Sequence, residues 1–239
     1  AVRQFVDSSP PGSISLILTG DEEGDAEFGT AKIIDWMLKN DQRPDMCVVG
    51  EPTNPNRLGD VIKNGRRGSL SGTLRVFGVQ GHVAYPQLAD NPIVRLLAML
   101  EPINGVELDG GNTYFDASSA HITTIDTGNE TRNVIPATVS AGFNIRFNTE
   151  HRAEDLILWL EEHFDRIGGK WQAEWRVSAE PFVTPPGPLT NLMQEAITRV
   201  TGIVPKLSTS GGTSDARFIT KLCPVAEFGL IGQTMHKVD

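Results

Sequence analysis

Positive charge is scarce in this sequence. Its 239 residues include 21 lysines and arginines against 30 aspartates and glutamates, so the formal net charge at pH 7 is −9. That balance argues against a nucleic-acid surface, which needs clustered basic side chains. Apolar runs are also short, well below the roughly 18 residues of a membrane span, and no basic-then-apolar leader opens the chain. We therefore expect neither a nucleic-acid nor a membrane partner.

Cysteine is scarce as well. Cys47 and Cys223 are too few for a disulfide scaffold, and each lies in an apolar run that is typical of a buried free thiol. This usage favours a reducing, cytoplasmic location. The 39% of hydrophobic residues is enough for one large domain or two modest ones and argues against disorder.

The first 67 residues alternate strand and helix patterns. Residues 14–18 and 46–49 are short apolar runs that suit buried strands, and the segment between them carries apolar residues at helical spacing. This order predicts an α/β fold with a largely parallel sheet, in which sites form at the carboxyl ends of strands. The acidic residues 21–23 and Glu51 fall at such ends.

The pattern changes between residues 68 and 180 and returns to α/β character from 181 to 239. The middle segment reads β-α-β-β-α-β, with a helix opened by Pro92 and another stopped at residues 168–169. This order is that of the ferredoxin-like split βαβ unit. We therefore expect a discontinuous outer domain, residues 1–67 and 181–239, interrupted by an inserted domain, residues 68–180.

Carboxylates and histidines at loop positions are the first candidates for chemistry. Glu22 and Glu23 are adjacent, so in an extended segment they point different ways and suit different tasks. Pro52 restricts the backbone at Glu51 and so fixes the direction of its carboxylate. His236 is the fourth candidate residue. Oxygen and nitrogen ligands of this kind suit a hydrolytic zinc site, although a solvated acidic loop also explains Glu22 and Glu23.

A second set of candidates lies in and beside the middle segment. His82 lies beside a glycine, and Arg66 and Arg67 lie where the two predicted domains join. The arginines could be an exposed basic hinge or a clamp for carboxylates. The spacing of a serine-hydrolase elbow and the lysine of a phosphate loop are both missing from the glycine-rich segment 210–215.

Six segments taken together resemble the dizinc M20 peptidase family. They are residues 19–24 (TGDEEG), 49–53 (VGEPT), 63–69 (KNGRRGS), 80–86 (QGHVAYP), 133–136 (NVIP) and 210–218 (SGGTSDARF). The resemblance implies an α/β fold in which a zinc-hydrolase-type three-layer outer domain, here incomplete, carries an inserted ferredoxin-like dimerisation domain. It also implies two Zn²⁺ ions per subunit, with Co²⁺ as a possible substitute, and a homodimer formed through residues 68–180.

The resemblance assigns a role to each matching residue. Glu22 matches the general base, Glu23 and Glu51 match terminal ligands of different zinc ions, and His236 matches the remaining ligand of Glu23's ion. His82 resembles the histidine that a partner subunit places against the developing oxyanion. The residues that match substrate-binding positions are Arg66, Tyr85, Asn133, Arg146, Gly212 and Thr213.

The resemblance implies hydrolysis of a linear amide, and the best match within the family removes succinate from N-succinyl-LL-2,6-diaminopimelate in lysine and diaminopimelate biosynthesis. The arginines at 66, 67 and 146 favour such a carboxylate-rich substrate. Two alternatives stay open: another deacylase of the family, similar to acetylornithine deacetylase, and a non-catalytic dimerising fragment.

One part of the family pattern is missing. The family also uses an N-terminal His-x-Asp motif and a bridging Asp, and no segment before Ile14 supplies them. With Glu23, Glu51 and His236 alone, neither zinc ion would have the three protein ligands that are usual in catalytic sites. We therefore expect this chain to be a portion of the enzyme.

Overall fold

The computed structural model describes Asp7, residues 12–21, Gly24 and residues 28–234. These residues form an α/β structure with two four-stranded sheets and two short two-stranded ribbons. The strands are β1 (Cys47–Val49), β2 (Val61–Lys63), β3 (Gly65–Arg66), β4 (Gly68–Phe77), β5 (Gly81–His82), β6 (Ser119–Asp126), β7 (Val134–Ile135), β8 (Thr138–Phe147), β9 (Lys170–Ala179), β10 (Phe182–Val183), β11 (Lys206–Ser208) and β12 (Val225–Glu227). The helices are α1 (Thr30–Lys39), α2 (Pro92–Leu100), α3 (Ala153–Ile167), α4 (Pro188–Thr201) and α5 (Ala216–Ile219), with 3-10 turns at Pro86–Leu88, Glu101–Ile103 and Gly232–Thr234.

The first sheet, here the outer sheet, has the strand order β1-β12-β2-β11. The pairs β1–β12 and β2–β11 are parallel, whereas β12 meets β2 antiparallel through Glu227 and Lys63. The sheet is therefore mixed, with two parallel pairs rather than a continuous parallel run. The predicted strand at 46–49 is confirmed as β1.

The expected strand at residues 14–18 is wrong. The structure gives these residues no ladder partner, and Leu16 and Leu18 are exposed while Ile17 packs against the core beside α1. An apolar run forms a strand only where a neighbouring backbone can complete its hydrogen bonds. The helix predicted after this run is confirmed as α1, which buries Ile34 and Met37.

The second sheet, here the inner sheet, has the order β6-β8-β4-β9 with every neighbouring pair antiparallel. Its elements follow the chain as β4-α2-β6-β8-α3-β9, leaving the short ribbon strands aside. Helix α2 packs on β4 and β8, and α3 packs on β4 and β9. Alternate residues of β4, including Leu70 and Leu74, are buried under these helices, so the opposite face of the sheet carries the polar residues.

Local capping fixes the ends of the helices that cover the inner sheet. The side chain of Asn91 accepts the N–H of Ile93 at 3.1 Å, and Pro92 occupies the first turn of α2. Helix α3 ends at Gly168, whose φ of 78° a residue with a side chain rarely adopts. The predicted start at Pro92 and stop at Gly168 are both confirmed.

The two chain segments that cross between the sheets pair with each other. In this ribbon, Arg66 lies opposite Phe182 and Gly65 opposite Val183, in an antiparallel pair of β3 with β10. A side chain at Gly65 would collide with the carbonyl oxygen of Phe182, so the close approach requires glycine. The two crossing segments are therefore held as one unit. No helix in the described part of the chain is long and apolar enough to cross a membrane.

Helix α3 offers a matched test of the inner core. Leu160 is fully buried and Leu158 on the same helix is 57% exposed. Leu160→Ala should lower the free energy of unfolding by about 2–5 kcal/mol, because it removes packed atoms and leaves a cavity. Leu158→Ala should stay within about 0.5 kcal/mol of the parent. Urea denaturation would measure both, and equal losses would contradict the placement of Leu160.

Candidate active site

Glu51 lies two residues beyond the end of β1, at the carboxyl edge of the outer sheet, and is half-buried. Its backbone is fixed from the neighbouring strand. Phe228 donates its N–H to the carbonyl of Val49 at 3.0 Å, and a side chain at Gly229 would collide with the backbone of Glu51. The segment after β12 therefore positions Glu51, in addition to the constraint expected from Pro52.

Asn54 is a positioning residue that the sequence did not suggest. Its side chain is buried, donates to the carbonyl of Gly229 at 2.6 Å, and accepts the N–H groups of Gly59 and Val61 at 3.1 and 3.0 Å. These bonds tie the loop after Glu51 to the segment after β12. A single asparagine among turn residues carries no signal that would have revealed this role in advance.

Three of the predicted site residues, Glu22, Glu23 and His236, lie outside the described residues. Asp21, which precedes Glu22 in the chain, accepts the N–H of Phe28 at 2.9 Å. Among the residues that the structure does describe, no group of three or more histidine, cysteine, aspartate or glutamate side chains could hold a metal ion. Of the three predicted metal ligands, Glu51 is therefore the one that lies among the described residues at this edge of the sheet.

The structure brings His82, Tyr85 and Asn133 together beside the inner sheet. Strand β5, which contains His82, pairs with β7, which directly follows Asn133. The amide nitrogen of Asn133 lies 3.4 Å from Nε2 of His82, and the rings of His82 and Tyr85 are 6.0 Å apart between centroids. His82 therefore lies beside both Tyr85 and Asn133.

The backbone determines which ring nitrogen of His82 carries the proton. The N–H of Ala84 donates to Nδ1 at 3.0 Å, so Nδ1 must be an acceptor. In the neutral ring the proton is then on Nε2, which becomes a donor. The Asn133 amide satisfies this tautomer when its oxygen, rather than its nitrogen, faces Nε2.

Arg66 does not project freely from the crossing segment. Its Nε donates to both carboxylate oxygens of Glu227 at 3.1 and 2.9 Å, and Nη2 also donates to Glu227. Both side chains are buried, and Glu227 accepts a further hydrogen bond from Ser214. Glu227 therefore already binds Nε and Nη2 of Arg66, so fewer of the guanidinium N–H groups remain for a substrate carboxylate.

Arg67 and Arg146 form a different kind of arginine pair. Arg146 lies opposite Ser69 in the β4–β8 ladder, two residues beyond Arg67, so the register brings the two arginines close together. Burial lowers the pKa of Arg146, and the charge of Arg67 lowers that pKa further. Nε of Arg67 is buried without a hydrogen-bond partner, and within the described residues neither side chain has an ion-pair partner. Two adjacent half-buried cations without a carboxylate form a site that favours an anion.

The glycine-rich segment 210–215, here the glycine loop, joins β11 to α5. Lys63 donates to the hydroxyl groups of Ser208 and Ser210 at 3.1 and 2.6 Å. Burial and the charge of Arg66 lower the pKa of Lys63, whereas Glu227 raises it. Gly212 faces open space, where a side chain would meet no atom within 4 Å.

Sequence comparison identifies the family of the chain. A model of peptidase family M20/M25/M40 matches residues 1–239. The chain belongs to this family. Among curated relatives, the succinyl-diaminopimelate desuccinylase of Acidiphilium cryptum is 54% identical over 228 residues, covering 95% of this chain and 62% of that protein. The protein of the same name from Gluconobacter oxydans is 50% identical over 240 residues, covering 100% of this chain and 63% of that protein.

Solved structures support the fold. Aminopeptidase PepT from Bacillus cereus matches with a TM-score of 0.73 at 18% identity, over 95% of this chain and 59% of that one. An M20 family metallo-carboxypeptidase from Sulfolobus solfataricus matches with a TM-score of 0.64 at 14% identity, over 82% of this chain and 58% of that one. The chain thus spans about three-fifths of the length of these relatives, and its α/β fold is that of the family.

The tautomer of His82 can be measured directly. In ¹⁵N NMR spectra of the histidine-labelled protein with neutral imidazole rings, we expect the signals of His82 to be those of a ring protonated on Nε2, because Ala84 occupies Nδ1. Ala84→Pro removes the donor N–H and should allow the other tautomer to appear, whereas Ala84→Ser keeps the donor and should not. An Nδ1-protonated ring in the parent protein would contradict the assignment.

Proposed function

We propose that this chain is part of an amide hydrolase that removes succinate from N-succinyl-LL-2,6-diaminopimelate. Support comes from the curated relatives, which are 50–54% identical over 95–100% of this chain and bear the name of that activity. Because the chain spans about three-fifths of their length, the activity is proposed for the whole enzyme to which these residues contribute.

The single observation in the structure that carries the proposal is the arginine pair Arg67 and Arg146. The substrate bears three carboxylates, one on the succinyl group and two on the diaminopimelate carbons. Two half-buried guanidinium groups without an acidic partner among the described residues match such a ligand, since arginine binds carboxylates through paired hydrogen bonds. Arg66 contributes less directly, because Glu227 already occupies two of its nitrogens.

Zinc is the metal that we propose for the whole enzyme, with Glu23, Glu51 and His236 as ligands from this chain. The described residues do not fit a complete centre, because Glu51 is the one predicted ligand among them and no cluster of three donors is present in that part of the chain.

The chemistry proposed for the chain's own residues is acid–base catalysis with stabilisation of the oxyanion. Glu22 takes a proton from the attacking water and later passes one to the leaving amine. His82 transfers its Nε2–H hydrogen bond from Asn133 to the oxygen of the tetrahedral intermediate, and the tautomer fixed by Ala84 suits that task. Tyr85, Asn133, Gly212 and Thr213 complete the proposed contacts with the substrate.

The two sheets correspond to the two domains that we propose. Residues 1–67 and 181–239 form the catalytic domain, and residues 68–180 form an inserted ferredoxin-like domain through which two copies dimerise. The order β6-β8-β4-β9 with both helices on one face supports the ferredoxin-like assignment. Strand β6 lies at an edge of its sheet and can pair with a second copy.

The free thiols Cys47 and Cys223 agree with a cytoplasmic enzyme.

A substrate panel tests the proposed activity. The full-length enzyme should hydrolyse N-succinyl-diaminopimelate much faster than N-acetylornithine. Arg67→Gln and Arg146→Gln should each lower kcat/KM for the succinylated substrate by about tenfold or more, since each removes a charged hydrogen bond worth about 1.5–3 kcal/mol. The control is Arg75→Gln, which removes an exposed arginine from the same polar face of the inner sheet.

The outcomes of the panel separate the alternatives. Faster turnover of the acetylated substrate would favour a deacylase similar to acetylornithine deacetylase. Absence of turnover with both substrates, in a folded and metal-loaded protein, would favour the non-catalytic dimerising role. An effect of Arg75→Gln equal to that of Arg67→Gln would show that general surface charge, rather than the arginine pair, attracts the substrate.

The shared site proposed for the dimer predicts complementation. His82→Ala and Glu22→Gln should each be nearly inactive, because one lost oxyanion donor costs about 10²–10³ in kcat and a lost acid–base group about 10²–10⁴. Refolded together, the two variants should regain partial activity, because a mixed dimer contains one site with both residues intact. Mixed dimers confirmed by differently tagged subunits but without regained activity would refute the shared site.

A further inference from the structure

Glu227 ends β12 in the middle of the outer sheet, and its side chain is fully buried. Arg66 donates to both of its carboxylate oxygens, and Ser214 donates to Oε1. The guanidinium and the carboxylate therefore neutralise each other where little water reaches them. A carboxylate held in this way is bound from two directions, by the crossing segment and by the glycine loop.

The same network holds both ends of the glycine loop. Ser210 at its start accepts a hydrogen bond from Lys63, which lies opposite Glu227 in the sheet. Ser214 near its end binds Glu227, and the last residue, Asp215, accepts the hydroxyl of Thr30 at 2.6 Å. Gly212 and Thr213 therefore lie in a short span whose ends are anchored to charged or buried groups.

The guanidinium of Arg66 also lies directly against this span. A side chain at Gly211 would come within 2.5 Å of Nη1 of Arg66, and the φ of 109° at Gly211 is one that a residue with a side chain rarely adopts. The backbone of the glycine loop at Gly211 thus packs directly against the guanidinium of Arg66. A shift of Arg66 would remove that support.

Arg66 is at the same time part of the ribbon that joins the two sheets. It pairs with Phe182 on the returning segment, and Arg67 follows it directly in the chain. A contact that fixes the side chain of Arg66 therefore also helps to fix two proposed substrate contacts. One is the glycine loop, and the other is Arg67, on the opposite side of the crossing.

We propose that Glu227 is a positioning residue which, through Arg66 and Ser214, locks the glycine loop to the crossing ribbon and so keeps Gly212 and Thr213 in register with Arg67. Glu227 touches no substrate in this arrangement. Its effect on substrate affinity rests on the proposed function, whereas its effect on the order of the loop and ribbon does not.

Glu227→Gln tests this role, because the amide keeps the shape of the side chain and removes the charge that holds Arg66. In the full chain, hydrogen exchange followed by mass spectrometry should show at least about tenfold faster exchange in residues 210–215 and in the ribbon, with the core strand β4 unchanged. Asp90→Asn is the matched control: it removes the carboxylate of the Arg95 ion pair in the inner sheet region and should leave the loop and ribbon unchanged.

Kinetics separate positioning from a loss of folded protein. In the folded fraction of Glu227→Gln, KM for N-succinyl-diaminopimelate should rise about tenfold or more while kcat changes about threefold or less, because the contacts misplaced are those that bind the substrate. A purely structural role would lower the midpoint of thermal unfolding and the active fraction but leave KM unchanged. That result, with parental exchange in the loop, would overturn the proposal.

A second variant covers the case in which Glu227→Gln fails to fold. The double substitution Arg66→Met with Glu227→Met leaves no buried charge, so it should fold while still lacking the lock. Rapid exchange in residues 210–215 of this variant is the expected result, and parental exchange there would refute the lock. Because exchange is measured without turnover, it decides the proposal even if the enzyme acts on another substrate.

Discussion

The buried ion pair between Arg66 and Glu227 fixes the place where the two sheets of this chain meet. Breaking such a pair by removing one partner costs about 3–5 kcal/mol, because the other charge stays buried without compensation. Here the pair joins three separate segments: the crossing ribbon, the central strand of the outer sheet and the glycine loop. The geometry of the candidate site on both sides of the crossing depends on this one contact.

Arg67, the residue after Arg66, differs from it in the direction of its side chain and in its surroundings. Successive side chains of an extended segment point to opposite sides, so Arg66 and Arg67 cannot serve the same group. Arg66 turns to Glu227 inside the outer sheet, while Arg67 lies near Arg146 of the inner sheet. The charge of Arg66 is neutralised by Glu227, whereas Arg67 has no ion-pair partner among the described residues. The exposed basic hinge, one interpretation of the sequence, is wrong for Arg66, which is buried; the carboxylate clamp stays a proposal for Arg67.

Elements with a strong local pattern could be predicted from the sequence. The helices at Pro92 and Ala153, the alternating strand β8 and the β-α-β-β-α-β order depend on periodicity and on nearby capping residues. The strand expected at residues 14–18 depended on a partner strand that periodicity cannot supply. Likewise, the burial of Glu227 and the bonds of Asn54 arise from residues far apart in the chain, and a lone acidic or amide residue gives no sign of them.

The arginine pair Arg67–Arg146 and the ion pair Arg66–Glu227 also make stability and binding depend on each other. Adjacent uncompensated cations at Arg67 and Arg146 repel, so they raise the free energy of the folded chain when no anion is bound. An anion that binds them lowers that free energy and stabilises the folded state by mass action. The ion pair of Arg66 with Glu227 does not raise the free energy of the folded chain in this way, because its two charges neutralise each other with or without a ligand. It therefore holds the crossing rigid while Arg67 is unpaired. Because Glu227 already holds Arg66, the crossing is ordered before a ligand binds. The free energy of binding a carboxylate at Arg67 and Arg146 therefore strengthens the contact between the two sheets and is not used to order the crossing.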